Sequence, residues 1–384
     1  MASSRKRSTD PSTPKRPTTY IAELYGHSPE VFKDKTHRLQ AVRTCPVRGH
    51  DAHCDVSANR NSIALLDTGY RGIVADVPAI HQNYGKESLP LGICSCWGTR
   101  QNETVAQPWI LCPKRLLCLE PPRPVIPKEV RDLIDIKPGA TVGVWSELKF
   151  RRREQDSMRF FEYTFDYLLI ELKDGEPVGA PYIIEVMTSS TRGGGLQEHM
   201  TDVLLGREQR HLGKIVASIY TPNYRQVFER MIGQFIAKSE IAEKWGGKTI
   251  WVFQDTLLDY IEQTTAFSSA AIQQEGVTGN VFCEVYSLVR PPTAPGTAPA
   301  GLRLKHAKSI RGRARIKEHS LDFTSFLGLG YAPPLDELKK TLREGYKRSI
   351  KAPESSRIFT FTWGQELDPR LTEPAMTEIQ KRPR

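Results

Sequence analysis

Two stretches of this chain leave little choice of fold. Phe161 to Leu172 is rich in aromatic, β-branched and other apolar residues, and Tyr182 to Thr188 is almost as apolar. The turn sequence Lys173-Asp174-Gly175-Glu176 stands between them. Strands whose apolar residues run on without alternation are buried on both faces. The two runs therefore predict central strands of a sheet covered on each side. Asp166 and Glu185 lie inside them. A carboxylate in a buried strand is costly unless something positive pairs with it. Two on adjacent strands repel each other unless a cation lies between. Magnesium meets that need, because it takes hard oxygen ligands and keeps waters for chemistry. Glu185 and Met187 point to one face, since strand side chains alternate. One widespread nuclease core uses this layout, an Asp and then Glu-x-Lys on the next strand, but here the third position is Met187. The plain alternative is a satisfied core polar group at Asp166 and a strand-end ion-pair partner at Glu185.

The flanking sequence predicts a short helix over 127–136, with Pro127 near its first turn, and a strand from Thr141 to Ser146. Val227, Phe228, Met231, Ile232, Phe235 and Ile236 form one helical stripe within 224–245, which Gly246-Gly247 ends. A strand at Thr249 to Phe253, a helix near Leu257 to Ile261 and a strand at Val281 to Leu288 follow. This order predicts an α/β fold, a mixed sheet flanked by helices. Pro291 to Gly301 reads as a linker.

Six of the seven cysteines fall between Cys45 and Cys118. The odd total and the absence of a secretory signal pattern at the N-terminus argue against a disulfide scaffold and for metal ligation in a reducing, cytoplasmic setting. Four thiolates bind zinc or iron tetrahedrally. The spacing matches no short zinc-finger pattern, and Cys96, His50 and His53 are alternative ligands. No apolar run approaches the roughly 18 residues of a membrane helix.

The formal net charge is +10, a field that attracts polyanions. Residues 1–18 are polar and basic, with Arg5, Lys6, Arg7, Lys15 and Arg16, and are expected to be disordered in isolation. From Arg303 to Lys317 no acidic residue occurs. Within it, Ile310, Gly312, Ala314 and Ile316 alternate with Arg311, Arg313, Arg315 and Lys317, an amphipathic strand with one basic face. Such a face fits DNA phosphates and guanine edges. It also fits a solvated edge strand whose charge prevents sticking.

Several short motifs, in order, resemble the NotI-type restriction endonucleases. They begin with Thr19-Tyr20-Ile21-Ala22-Glu23-Leu24-Tyr25-Gly26-His27, followed by Thr44-Cys45-Pro46, Gly92-Ile93-Cys94 and Leu111-Cys112-Pro113-Lys114-Arg115. Glu162-Tyr163-Thr164-Phe165-Asp166-Tyr167 and Ile184-Glu185-Val186-Met187-Thr188 come next. Asn223-Tyr224-Arg225-Gln226-Val227-Phe228-Glu229-Arg230, with Gln234, is similar to that family's helix after the active site.

The resemblance implies a PD-(D/E)XK nuclease core and Mg²⁺-dependent type II cleavage of double-stranded DNA. The site would be a GC-rich palindrome, cut by a homodimer to leave 5′-phosphate ends. A cognate DNA methyltransferase would act in the same bacterial system without a stable complex. By motif, the structural metal, iron or zinc, maps to Cys45, Cys54, Cys94 and Cys112. Asp166 and Glu185 map to the catalytic carboxylates, and Glu147 resembles a further acidic residue. Lys149, two residues on, is the expected replacement for the lysine missing at Met187, with Arg192 as a lesser substitute. Arg230, Arg311, Arg313, Arg315 and Lys317 are the expected DNA contacts. The domain reading is a basic arm at 1–18, a metal-binding domain at 19–120, a nuclease core at 121–290 and a C-terminal DNA-contacting subdomain at 302–384. The rivals are a structure-specific repair nuclease and a catalytically inactive DNA-binding module.

Overall fold

A computed structural model describes residues 19–34, 45, 62–64, 88–90, 92–99, 105–121, 123–153, 160–189, 191–192, 196–204, 206, 221–222, 224–264, 269, 281–291, 301–312, 334–353 and 356–366. The basic arm, Cys54, Arg313, Arg315 and Lys317 lie outside these residues.

The centre is a mixed α/β sheet of seven strands. In chain order these are β6 (Thr141–Arg153), β7 (Phe160–Lys173), β8 (Glu176–Met187), β11 (Lys248–Gln254), β12 (Val281–Val289), β13 (Arg303–Gly312) and β14 (Ile358–Thr362). Their spatial order is β13-β12-β11-β8-β7-β6-β14. β8, β11 and β12 run parallel, and the remaining neighbours are antiparallel. The two apolar runs of the sequence are thus β7 and β8, joined by a turn in which Asp174 and Gly175 both have positive φ. The wide burial of both runs follows from their central places in the sheet.

Helices cover one face: α2 (Leu196–Leu204), α3 (Tyr224–Lys244), α4 (Asp255–Thr264) and α5 (Leu335–Lys351). Met231 and Phe235 of α3 and Leu257 of α4 pack with Trp251, Phe253 and Val285. Leu338 and Leu342 of α5 pack with Phe165, Leu168 and Ile183. The other face is covered by the irregular segment around Leu116 to Ile136, which packs on Val144, Leu169, Ile184 and Val252. The expected 127–136 helix is a single turn, α1 (Lys128–Arg131), with Pro127 as its N-cap residue.

A smaller antiparallel sheet joins β1 (Thr19–Leu24), β4 (Ile93–Gly98) and β5 (Gln107–Ile110) in the order β1-β4-β5. It is tied to the main sheet by Gln254, whose side chain accepts from the Ile110 amide at 2.7 Å and donates to the Pro108 carbonyl. Ile21, Trp109, Trp251 and Phe253 share one core, so 19–120 has no core of its own among the described residues. Nor does 302 begin a separate sheet: β13 and β14, both from the C-terminal segment, are the two edges of the main one. No described helix is long and apolar enough to cross a membrane.

Candidate active site

β7 and β8 pair, with one register shift between Leu169 and Glu171, as far as Tyr167 and Ile184. The next opposed residues are Asp166 and Glu185, and there the backbone ladder is replaced by side chains. The Val186 amide donates to Asp166 Oδ2 at 2.9 Å, and the Asp166 amide donates to Glu185 Oε1 at 3.4 Å. The strands part at this point, and the two carboxylates fill the gap. The sequence reading of adjacent acids on central strands is the arrangement found.

Glu185 is 2% exposed and points to the helix face, between Ile183 and Met187. There Lys238 of α3, itself 3% exposed, donates to Glu185 Oε2 at 2.6 Å and to Gln234 Oε1 at 3.2 Å. Lys238 Nζ also stands 5.7 Å from the Phe165 ring centre. The helix is held at this height by β11: Thr249 Oγ1 donates to the Lys238 carbonyl, and Trp251 Nε1 reaches Ser239 Oγ. Burial, and then the neighbouring Asp166, push the Glu185 carboxyl up to about 8, although Lys238 opposes the shift. Burial also raises Asp166, against the pull of the Val186 amide and Lys238.

Lys238 was not among the sequence expectations, yet it carried a signal. Met231, Phe235, Lys238 and Ala242 recur at helical spacing on the buried face of α3. A lysine in an apolar stripe needs a buried acceptor, and the Glu185 carboxyl is that acceptor. Met187 packs against the core beside the site.

Glu147 and Lys149 both lie on β6. Glu147 has φ 50°, a left-handed conformation costing on the order of 1–2 kcal/mol in a non-glycine residue. It lies level with Asp166 in the β6/β7 register, between the pairs Ser146–Tyr167 and Leu148–Phe165. Both strands change phase at this level. The helix face receives Trp145 and then Leu148 and Phe150 from β6, and Leu168 and then Phe165 from β7. Glu147 and Lys149 are both exposed, and Lys149 lies opposite Thr164. The Glu147 carboxylate pairs with Arg357, which precedes β14.

Cys45, Cys94 and Cys112 are all buried. Cys94 Sγ accepts from the Gly26 amide at 3.1 Å. The amides of Lys114 and Arg115 point at Cys112, and Cys45 lies close enough to disturb it electrostatically. Burial pushes the Cys112 thiol up to about 12. Cys45 and Cys94 also act on the Arg115 guanidinium. Among the described residues, no group of three or more His, Cys, Asp or Glu side chains is arranged to hold a metal ion.

Of the expected DNA contacts, Arg230 lies on α3. Arg311 is committed inside the protein: it pairs with the buried Glu284, donates to the Cys283 carbonyl and stands 5.7 Å over Phe282. Glu284 also receives Ser309 and His306. The exposed cations of β13 among the described residues are Arg303 and Lys305. Arg192, on the short strand β9 (Thr191–Arg192), pairs through its backbone with Thr221.

The raised Glu185 carboxyl makes a pH test available. Between about pH 4.5 and 8 the folded chain holds a proton on Glu185 that the unfolded chain has lost, so its contribution to stability falls as pH rises through that window. Thermal unfolding in chelator is expected to show Glu185→Gln gaining on the wild type steadily from pH 5 to pH 8. Parallel curves would mean that Lys238 compensates the charge in full.

Neither the models of known protein families nor the curated proteins compared with this chain give any match to it.

Proposed function

We propose that the chain is a type II restriction endonuclease with a PD-(D/E)XK core, hydrolysing double-stranded DNA with Mg²⁺. The observation that carries this reading is the set Asp166, Glu185 and Lys238 at the parting of two central strands. It supplies two acids and a lysine, the residue types of that core, with the lysine delivered from helix α3 instead of from position 187.

Magnesium fits the acids. Both carboxylates are pushed up by burial, and Glu185 also by its neighbour, so the pair lacks positive charge even with Lys238 present. This ion is commonly held by one or two protein carboxylates, with waters and substrate phosphates completing its shell. Asp166 and Glu185 would hold it. When bound, it lowers the pKa of an attacking water and offsets the charge of the transferring phosphate. Lys238 then has a hydrogen bond and a charge to give to the water or to the developing anion. Gln234, exposed and one turn before it, keeps the ammonium aimed toward the open side of the site. Met187 excludes water from the core behind the acids.

The cysteines are read as a structural metal site, iron or zinc, formed by Cys45, Cys54, Cys94 and Cys112. Amide donors aimed at sulfur favour thiolates, and a metal would reverse the effect of burial on Cys112. The proposed assembly is a homodimer, because two-fold symmetry matches a palindrome. A GC-rich site, 5′-phosphate products, bacterial cytoplasm and a cognate methyltransferase belong to the same reading.

Digestion of plasmid DNA tests it. Magnesium is expected to give discrete fragments whose ends share one sequence, and chelator is expected to abolish them. Cutting at mismatches or ends would favour a repair nuclease. Tight binding without cleavage would favour an inactive DNA-binding module.

A further inference from the structure

Glu147 and Arg357 are exposed, at 56% and 62% of their side chains, and ion-paired. Exposed pairs of this kind contribute little to stability. The surroundings make this one unusual. Glu147 is one of three non-glycine residues with positive φ among the described residues, and the other two are turn residues. It is placed level with Asp166, where β6 and β7 both change phase. Arg357 is fixed at its backbone as well, since its carbonyl accepts from the Ser146 amide at 2.9 Å. The cation is thus held at the edge of β6, paired with the residue level with Asp166. Strained backbone of this kind clusters at active sites and ligand clamps. The last turn of α5 adds Arg348 and Lys351, both exposed.

We propose that Arg357 binds a backbone phosphate of the DNA next to the cleavage site, exchanging Glu147 for that phosphate. This rests on the nuclease reading above and names a residue of the same site that the sequence did not suggest. A guanidinium matches a carboxylate and a phosphate through the same fork of donors, so either anion satisfies it. In the free protein Glu147 holds the fork in place. On the complex, the phosphate takes it and leaves the Glu147 carboxylate free beside Asp166.

The test is equilibrium binding of a duplex containing the cleavage site, without divalent cation, across a range of KCl. The wild type is compared with Arg357→Ala, Arg357→Lys and Glu147→Gln, each checked for an unchanged melting temperature. Arg357→Ala is expected to weaken binding and lower the salt slope by about one. Arg357→Lys should retain the slope. Glu147→Gln breaks the same ion pair and is expected to tighten binding, by up to about fivefold, the exchange value of an exposed pair. A structural role for the pair would make Arg357→Ala and Glu147→Gln behave alike, and that result overturns the proposal. So does an Arg357→Ala slope equal to the wild type's. If the wild type cleaves DNA while Arg357→Ala binds it normally, only this inference fails. If the wild type neither binds nor cleaves DNA, the nuclease reading fails with it.

Discussion

Asp166→Asn and Glu185→Gln are each expected to lower the cleavage rate by about 10³-fold or more, the scale of losing a bound metal's stabilisation of the transition state. Both changes keep side-chain shape. Asn at 166 can still accept from the Val186 amide, and Gln at 185 can still accept from the Asp166 amide, so the parted strands should hold their geometry. Gel shifts without divalent cation are therefore expected to show near-normal DNA binding. The division between lost cleavage and kept binding is what the proposed roles demand, because in them these carboxylates would serve the metal and not the bases. Full cleavage by either variant would remove the assignment.

The second large effect belongs to Lys238. Lys238→Met is expected to cost roughly 10²-fold or more in single-turnover cleavage, the scale of one lost electrostatic stabiliser. It also strips the partner from a buried carboxylate, a loss on the order of 3–5 kcal/mol unless Glu185 takes up a proton. The raised Glu185 pKa shows that the proton is readily taken, which limits the cost near neutral pH. The double variant Lys238→Met, Glu185→Gln separates the two consequences: its melting temperature should recover and its activity should not. Met187→Ala, by contrast, is expected to keep most activity, and so is Lys149→Ala, whose side chain is exposed opposite Thr164. If Lys149→Ala were dead and Lys238→Met active, the lysine role would return to β6.

The central strands, their acids and the helix that follows were legible because burial on two faces writes itself into composition. Asp166 and Glu185 stand out in such runs as the charges that apolar strands do not otherwise carry. Lys238 was harder to read, because it lies 53 residues after Glu185 and its stripe of neighbours is ordinary for a helix. Only the pairing of β8 with β11, and of β11 with α3, brings it to the acids. The left-handed conformation of Glu147 was not legible either, because a positive φ in a glutamate has no signature in sequence. The strand expected from Ile310 to Lys317 overlaps the observed Arg303–Gly312 strand only at 310–312, and charge alone did not reveal that the buried Glu284 claims Arg311. Linker composition before Gly301 did not reveal that the segments after it return to both edges of the main sheet.

That return has a consequence for how the molecule forms. The β13 edge follows β12 closely in the chain, but the other edge is closed by a late segment: β14 on β6, where Val142 meets Phe361 across more than half of the chain. Contacts between such distant residues form slowly, because a long loop must close before any pairing offsets its entropy. Until then β6 presents unpaired backbone, which can template the addition of a strand from another chain. Refolding yield should accordingly fall with protein concentration, and dilution, more than time, should decide how much native protein is recovered.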